Sequence, residues 1–85
     1  NKPQIILTIT AILKSKSNSQ YYIGQTSNIE VRLLRHNADL VRATANKGPW
    51  EIFHVEKFNK RIDAIRREKQ IKSWKSRKAI ERLKF

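Results

Sequence analysis

Residues 20–28 read "QYYIGQTSN", and the way this stretch folds decides how the rest of the chain is arranged around it. The chain has only two glycines. One of them, Gly24, interrupts a run whose aromatic and β-branched residues otherwise describe a strand. Glycine weakens a strand, because it packs nothing and loses more backbone entropy than any other residue. Directly behind Tyr21 and Tyr22, it marks a place where something must lie close against bare backbone.

Upstream, residues 5–13, "IILTITAIL", form the longest apolar stretch. A bilayer crossing needs about 20 such residues, and the flanks lack the pattern of a signal peptide. The stretch is therefore expected to be a buried, central strand. "KSKSNSQ" at 14–20 is a polar turn of hairpin length, so a second strand at 21–25 returns beside the first.

Downstream, Ser27 and Glu30 have capping-box spacing and predict a helix over 28–38, with Ile29, Leu33 and Leu40 on one side. The segment 37–49 is a long loop, and loops of that length are often functional. "WEIFHVEKF" at 50–58 predicts a third strand. Asn59 is the expected N-cap of a helix over 60–73, and a last helix over 76–84 turns Ala79, Ile80 and Leu83 inward, with Trp74 plugging the junction. The order β-β-α-β-α-α gives an α+β class: one domain over 1–85, a small three-stranded sheet flanked by helices.

Charge narrows the partners. Nineteen Lys and Arg face seven acids, a formal net charge of +12. That balance favours a polyanion, nucleic acid ahead of an anionic membrane surface. No segment pairs a basic face with an exposed aromatic and leucine face, so membrane binding is not expected. The plainer alternative is a solvated cationic surface. The absence of cysteine excludes disulfides and thiolate zinc sites and accords with a reducing, cytoplasmic setting.

Two helical placements carry chemistry. On the stripe Ala64, Ile65, Ile71 and Lys72, Glu68 falls in the middle. A carboxylate on an apolar face is either paired, here with Arg61 or Lys72, or it binds metal. Arg32 and His36 are one helical turn apart and share a face. Taken singly, Arg32 reads as a snorkelling side chain and His36 as a histidine meeting the C-terminal helix dipole. Beside a tyrosine strand, they read as a set with Tyr22.

"YYIGQTSNIEVRLLRHN" followed by "AIRREKQIKSWKSRKAIERL" resembles the GIY-YIG nuclease superfamily. The likeness is greatest to the small stand-alone bacterial members, and it extends to the module at the N-terminus of the UvrC repair nuclease and in homing endonucleases. It covers residues 5–84. It implies a three-stranded antiparallel sheet packed by helices and Mg²⁺-dependent hydrolysis of DNA phosphodiesters, with a place in DNA repair or processing. Carried onto this chain, the catalytic set is Tyr22, Arg32, His36 and Glu68, with Glu68 as the Mg²⁺ ligand. The residues expected against DNA are Gly24, Gln25, Lys72, Lys75, Arg77 and Lys78.

One departure stands out. The first family motif falls on Ile9, Thr10 and Ala11, so Ala11 occupies the place of a tyrosine. A methyl group cannot hydrogen-bond a water or a phosphate. Two functional readings follow: an endonuclease that tolerates Ala11, or a catalytically impaired domain that binds DNA or a protein partner without cutting. Either could act as a monomer or a weak dimer.

Overall fold

The computed structural model describes residues 8–84. Its elements are β1 (Thr8–Ser15), β2 (Tyr21–Thr26), α1 (Ile29–Asn37), a 3₁₀ turn (Arg42–Thr44), β3 (Trp50–Phe58), α2 (Arg61–Ser73), α3 (Arg77–Glu81) and a closing 3₁₀ turn (Arg82–Lys84). The order is the expected one. Residues 5–7 of the first strand lie outside the described residues. The sheet is antiparallel with order β2-β1-β3. The apolar strand is central as expected, since Thr8 through Leu13 are all buried.

Side chains alternate between the two faces of β1. Thr10 and Ile12 point to α2 and α3. The Thr10 hydroxyl donates to the Ala64 carbonyl at 2.7 Å. Ile12 packs with Ile71 and Ile80, and Tyr21, Ile23, Phe53, Trp74 and Leu83 close around them. Each fully buried aliphatic there contributes about 1.5–3 kcal/mol. Ala11 and Leu13 point the other way, toward α1, and share that face with their cross-strand partners Gly24 and Tyr22.

The β1–β3 register slips between Ile12 and Leu13: Ile12 faces His54, but Leu13 faces Ile52, and Phe53 is the extra residue of a bulge. Below the bulge His54 and Glu56 lie on the α2 face. Above it Ile52 and Trp50 lie on the α1 face.

The helix starts differ from expectation at two points. Asn28, not Ser27, caps α1, because its Oδ1 accepts the Val31 N–H at 3.2 Å. The α2 N-cap is Lys60, which makes no side-chain cap bond, and Asn59 lies outside the cap. Leu40 lies beyond α1 and is 66% exposed, so it does not extend the apolar stripe. Ser76 caps α3 by accepting from the Ala79 N–H at 3.3 Å. No helix among the described residues is long and apolar enough to cross a membrane.

Candidate active site

The close approach that Gly24 permits is made by Tyr22. A Cβ built on Gly24 would stand 3.1 Å from Cε1 of the Tyr22 ring. Gly24 does not adopt a positive φ, so the glycine serves space and not backbone conformation. Folded flat along its own strand, Tyr22 faces α1. Its ring centroid lies 4.6 Å from that of His36, and its hydroxyl accepts a hydrogen bond from Arg32 Nη2 at 3.3 Å. The helical spacing of Arg32 and His36 thus delivers both side chains to one tyrosine.

His36 stands in the last turn of α1, as expected, and is fully buried there. Its Nδ1 lies 2.6 Å from Thr44 Oγ1. Thr44, itself buried, also reaches the Val41 carbonyl at 3.3 Å. Its own carbonyl accepts from Trp50 Nε1 at 3.3 Å. Asn37, the last residue of α1, grips the Trp50 backbone at both ends: Nδ2 donates to the carbonyl at 3.2 Å and Oδ1 accepts the N–H at 2.6 Å. The long loop is therefore tied down at the imidazole. Burial, with the positive charges of Arg32 and Arg35, lowers the His36 pKa from its usual value, so the ring is neutral at pH 7.

Ala11 is 5% exposed and lies on the same face. With Leu13, Tyr22, Gly24, Arg32 and His36 it helps line a small cavity between β2 and α1.

Glu68 comes from the other side of the sheet. Its side chain is 18% exposed, and Oε1 accepts from Lys72 Nζ at 3.0 Å. That is the pairing open to a carboxylate on this stripe. Arg67, one position before, reaches β3: its Nε donates to Glu56 Oε1 at 2.8 Å and Nη2 to Oε2 at 3.1 Å. Lys72 instead lies beside β2. Around the helix, Glu68 falls between these directions, on the β2 side of Ala64 and Ile71. Arg32 and His36 thus both meet Tyr22, whereas Glu68 stands on the α2 side of the sheet, paired with Lys72. Among the described residues no three His, Asp or Glu side chains gather into a metal cage.

The basic residues divide. Lys72, Lys75 and Arg77 line a groove of about 390 Å³ beside Tyr21, and the Arg77 guanidinium lies 5.6 Å from the Tyr21 ring centroid. Lys78 is exposed on α3. Gln25 borders a separate depression with Thr8, Thr26, Ser27 and Arg61.

Residues 9–81 match the profile of the GIY-YIG catalytic domain. The chain belongs to the GIY-YIG family. Its relatives include UPF0213 protein SH2523 of Staphylococcus haemolyticus, 34% identical over 71 residues that cover 82% of this chain and 85% of that one. UPF0213 protein NP_0776A of Natronomonas pharaonis is 37% identical over 70 residues, covering 81% of each chain. The solution structure of UPF0213 protein BH0048 from Bacillus halodurans superposes with a TM-score of 0.56 at 26% identity, covering 91% of this chain and 81% of that one. The expected fold and family are therefore both met, and the catalytic-domain match points to nuclease-type activity.

Sequence reasoning missed Thr44, Asn37 and Trp50. Thr44 has no periodic signal, since it lies in a loop. Asn37 and Trp50 stand at the two ends of that loop, and their positions were its one visible sign.

Proposed function

We propose that this GIY-YIG domain hydrolyses DNA phosphodiester bonds with the help of Mg²⁺, in the repair or processing of DNA in the cytoplasm, as a monomer or weak dimer. The observation that carries this reading is the contact set of Tyr22, Arg32 and His36 on one face of β2. A binding surface alone gains nothing from burying an imidazole between a phenol and a guanidinium.

The donor chemistry fits magnesium. Mg²⁺ is commonly held by one or two carboxylates, with its remaining positions filled by waters and substrate phosphate. Glu68 is the one acid on the sheet-facing stripe of α2 and is the residue that would hold the ion. When bound, the ion stabilises charge on the transferring phosphoryl group. The chain's own groups do the rest. Arg32 offers donors to phosphate oxygens in a partly dry setting. Tyr22 orients the water or the phosphate by its hydroxyl. His36, neutral, is available to take a proton. Lys72, Lys75, Arg77 and Lys78 supply sequence-independent phosphate attraction, with Gly24 and Gln25 on the edge strand.

Ala11 favours the second reading, a domain that binds DNA or a protein without cutting. A nicking assay on supercoiled plasmid and branched DNA separates the two. Cleavage that needs Mg²⁺, stops in EDTA and is lost in Glu68→Gln is the expected result. A wild type that binds but never cuts, beside an Ala11→Tyr variant that does, would establish the second reading instead.

A further inference from the structure

Among the described residues, two buried side-chain atoms have no hydrogen-bond partner: Arg32 Nε and His36 Nε2. Arg32 and His36 are one helical turn apart, and both line the cavity beside Ala11 and Gly24. Buried polar atoms left unpaired are costly and ask for an explanation. The cavity volume is about 10 Å³, and a single water needs roughly 10–15 Å³ and polar partners. Size and chemistry therefore agree.

The direction of each bond follows from the neighbours. Arg32 Nε is a donor. A threonine hydroxyl has one proton, and that of Thr44 lies 3.3 Å from the Val41 carbonyl, which can only accept. With the proton directed there, Thr44 Oγ1 offers a lone pair to His36 at 2.6 Å. Nδ1 then carries the imidazole proton, and Nε2 of the neutral ring is a bare acceptor. One atom on the cavity donates and the other accepts, which is the pair that orients a water.

We propose that this cavity is a single-water site, in which the water accepts from Arg32 Nε and donates to His36 Nε2, and that Thr44 is the positioning residue that sets the imidazole tautomer. The chemical role rests on the nuclease reading; the water site does not. In the reaction, a water proton passes to Nε2 and gives an imidazolium. The water oxygen forms the new bond to phosphorus as the scissile P–O bond breaks, and its electron pair leaves with the departing oxygen. The imidazolium returns the proton to solvent. Nε2 of His36, and not a phenolate, is the proton acceptor.

The first test needs no variant. In ¹⁵N-histidine-labelled wild-type protein at neutral pH, NMR is expected to find the His36 proton on Nδ1. A proton on Nε2 overturns the inference whether or not DNA is cut. A crystal structure at high resolution is expected to place one water within hydrogen-bond distance of both atoms, and an empty cavity overturns the site. Thr44→Val keeps the shape and removes the hydroxyl. It is expected to lose the tautomer preference and to slow cleavage about 10- to 100-fold at unchanged DNA affinity, with Thr44→Ser restoring both. Wild-type cleavage by a folded Thr44→Val overturns the positioning role. The expected tautomer and water in a protein that never cuts DNA would remove the nuclease reading, and the proton-acceptor role with it, while the water site stood.

Discussion

On the α2 face of the sheet, Ile12, Ile71 and Ile80 meet in a dry cluster, and the charged residues at its rim are paired, Arg67 with Glu56 and Lys72 with Glu68. On the α1 face, a tyrosine, an arginine and a histidine crowd around a small cavity, and two of their buried nitrogens are unpaired. The first arrangement is what stability asks for: apolar area removed from water, with polar groups satisfied. The second gives up some of that, and on the proposed nuclease reading it does so for chemistry. The contrast teaches that in so small a fold one face of the sheet must carry the stability that the other gives up.

Mutations on the two faces should therefore fail in different assays. The largest expected effect is Arg32→Ala, which on the nuclease reading removes a phosphate donor and should lower cleavage by about 10²–10³-fold. Its urea midpoint should stay close to wild type. A midpoint that collapses along with activity would break the division of labour. Next is Ile71→Ala on the other face, expected to cost about 2–5 kcal/mol in urea unfolding with the rate of the remaining folded fraction unchanged.

Gly24→Ala follows. Its new methyl would press on Cε1 of Tyr22 at 3.1 Å, so the ring must shift by a few tenths of an ångström. Cleavage should fall about tenfold, with stability changed by no more than about 1 kcal/mol. An equal loss in both would make Gly24 a packing residue only.

The smallest effects concern acid. The His36 pKa is lowered by burial and by Arg32 and Arg35. The unfolded chain therefore binds a proton that the folded chain refuses, and stability falls as pH drops below 6.5. Burial works to raise the Glu56 carboxyl, but the Arg67 and His54 hydrogen bonds and charges outweigh it and hold it below its usual value. Its contribution is complete above 4.5 and is lost as pH falls further, through the folded value. Urea midpoints against pH should thus show the α1 face failing first. His36→Gln should flatten the upper window and Glu56→Gln the lower one. A single acid transition, unchanged in either variant, would contradict the assignment.

Much of this was legible in the residues. Continuous burial of β1 followed from "IILTITAIL", and the helical spacing of Arg32 and His36 placed them together. Chain-local patterns stopped short where tertiary contacts chose between near-equals. Asn28 and Ser27 are both good caps, and it is the Asn28 side chain that meets the free Val31 N–H. Leu40 fits the apolar period, but α1 ends before it. Thr44 acquires its role only when the loop folds back onto His36, and no spacing announces that. The groups joined here through touching side chains, Tyr22, Arg32 and His36, are ones that spacing and strand order already bring near. Glu68 stands on the other face of the sheet, paired with Lys72, and sequence spacing carries no sign of which face it serves.

The bulge at Phe53 has a consequence for the site. Along β3, residues 50, 52 and 54 share a parity, and an uninterrupted strand would turn all three to the same side. The extra residue breaks the count, so His54 stays with α2 while Trp50 turns to His36 and Thr44. Deleting the extra residue would leave a regular strand with the indole still on the α1 face, whereas straightening the bulge with every residue kept would turn the indole to the wrong side of the sheet. In aligned relatives, a one-residue gap at this point would thus be a change of length, not of wiring.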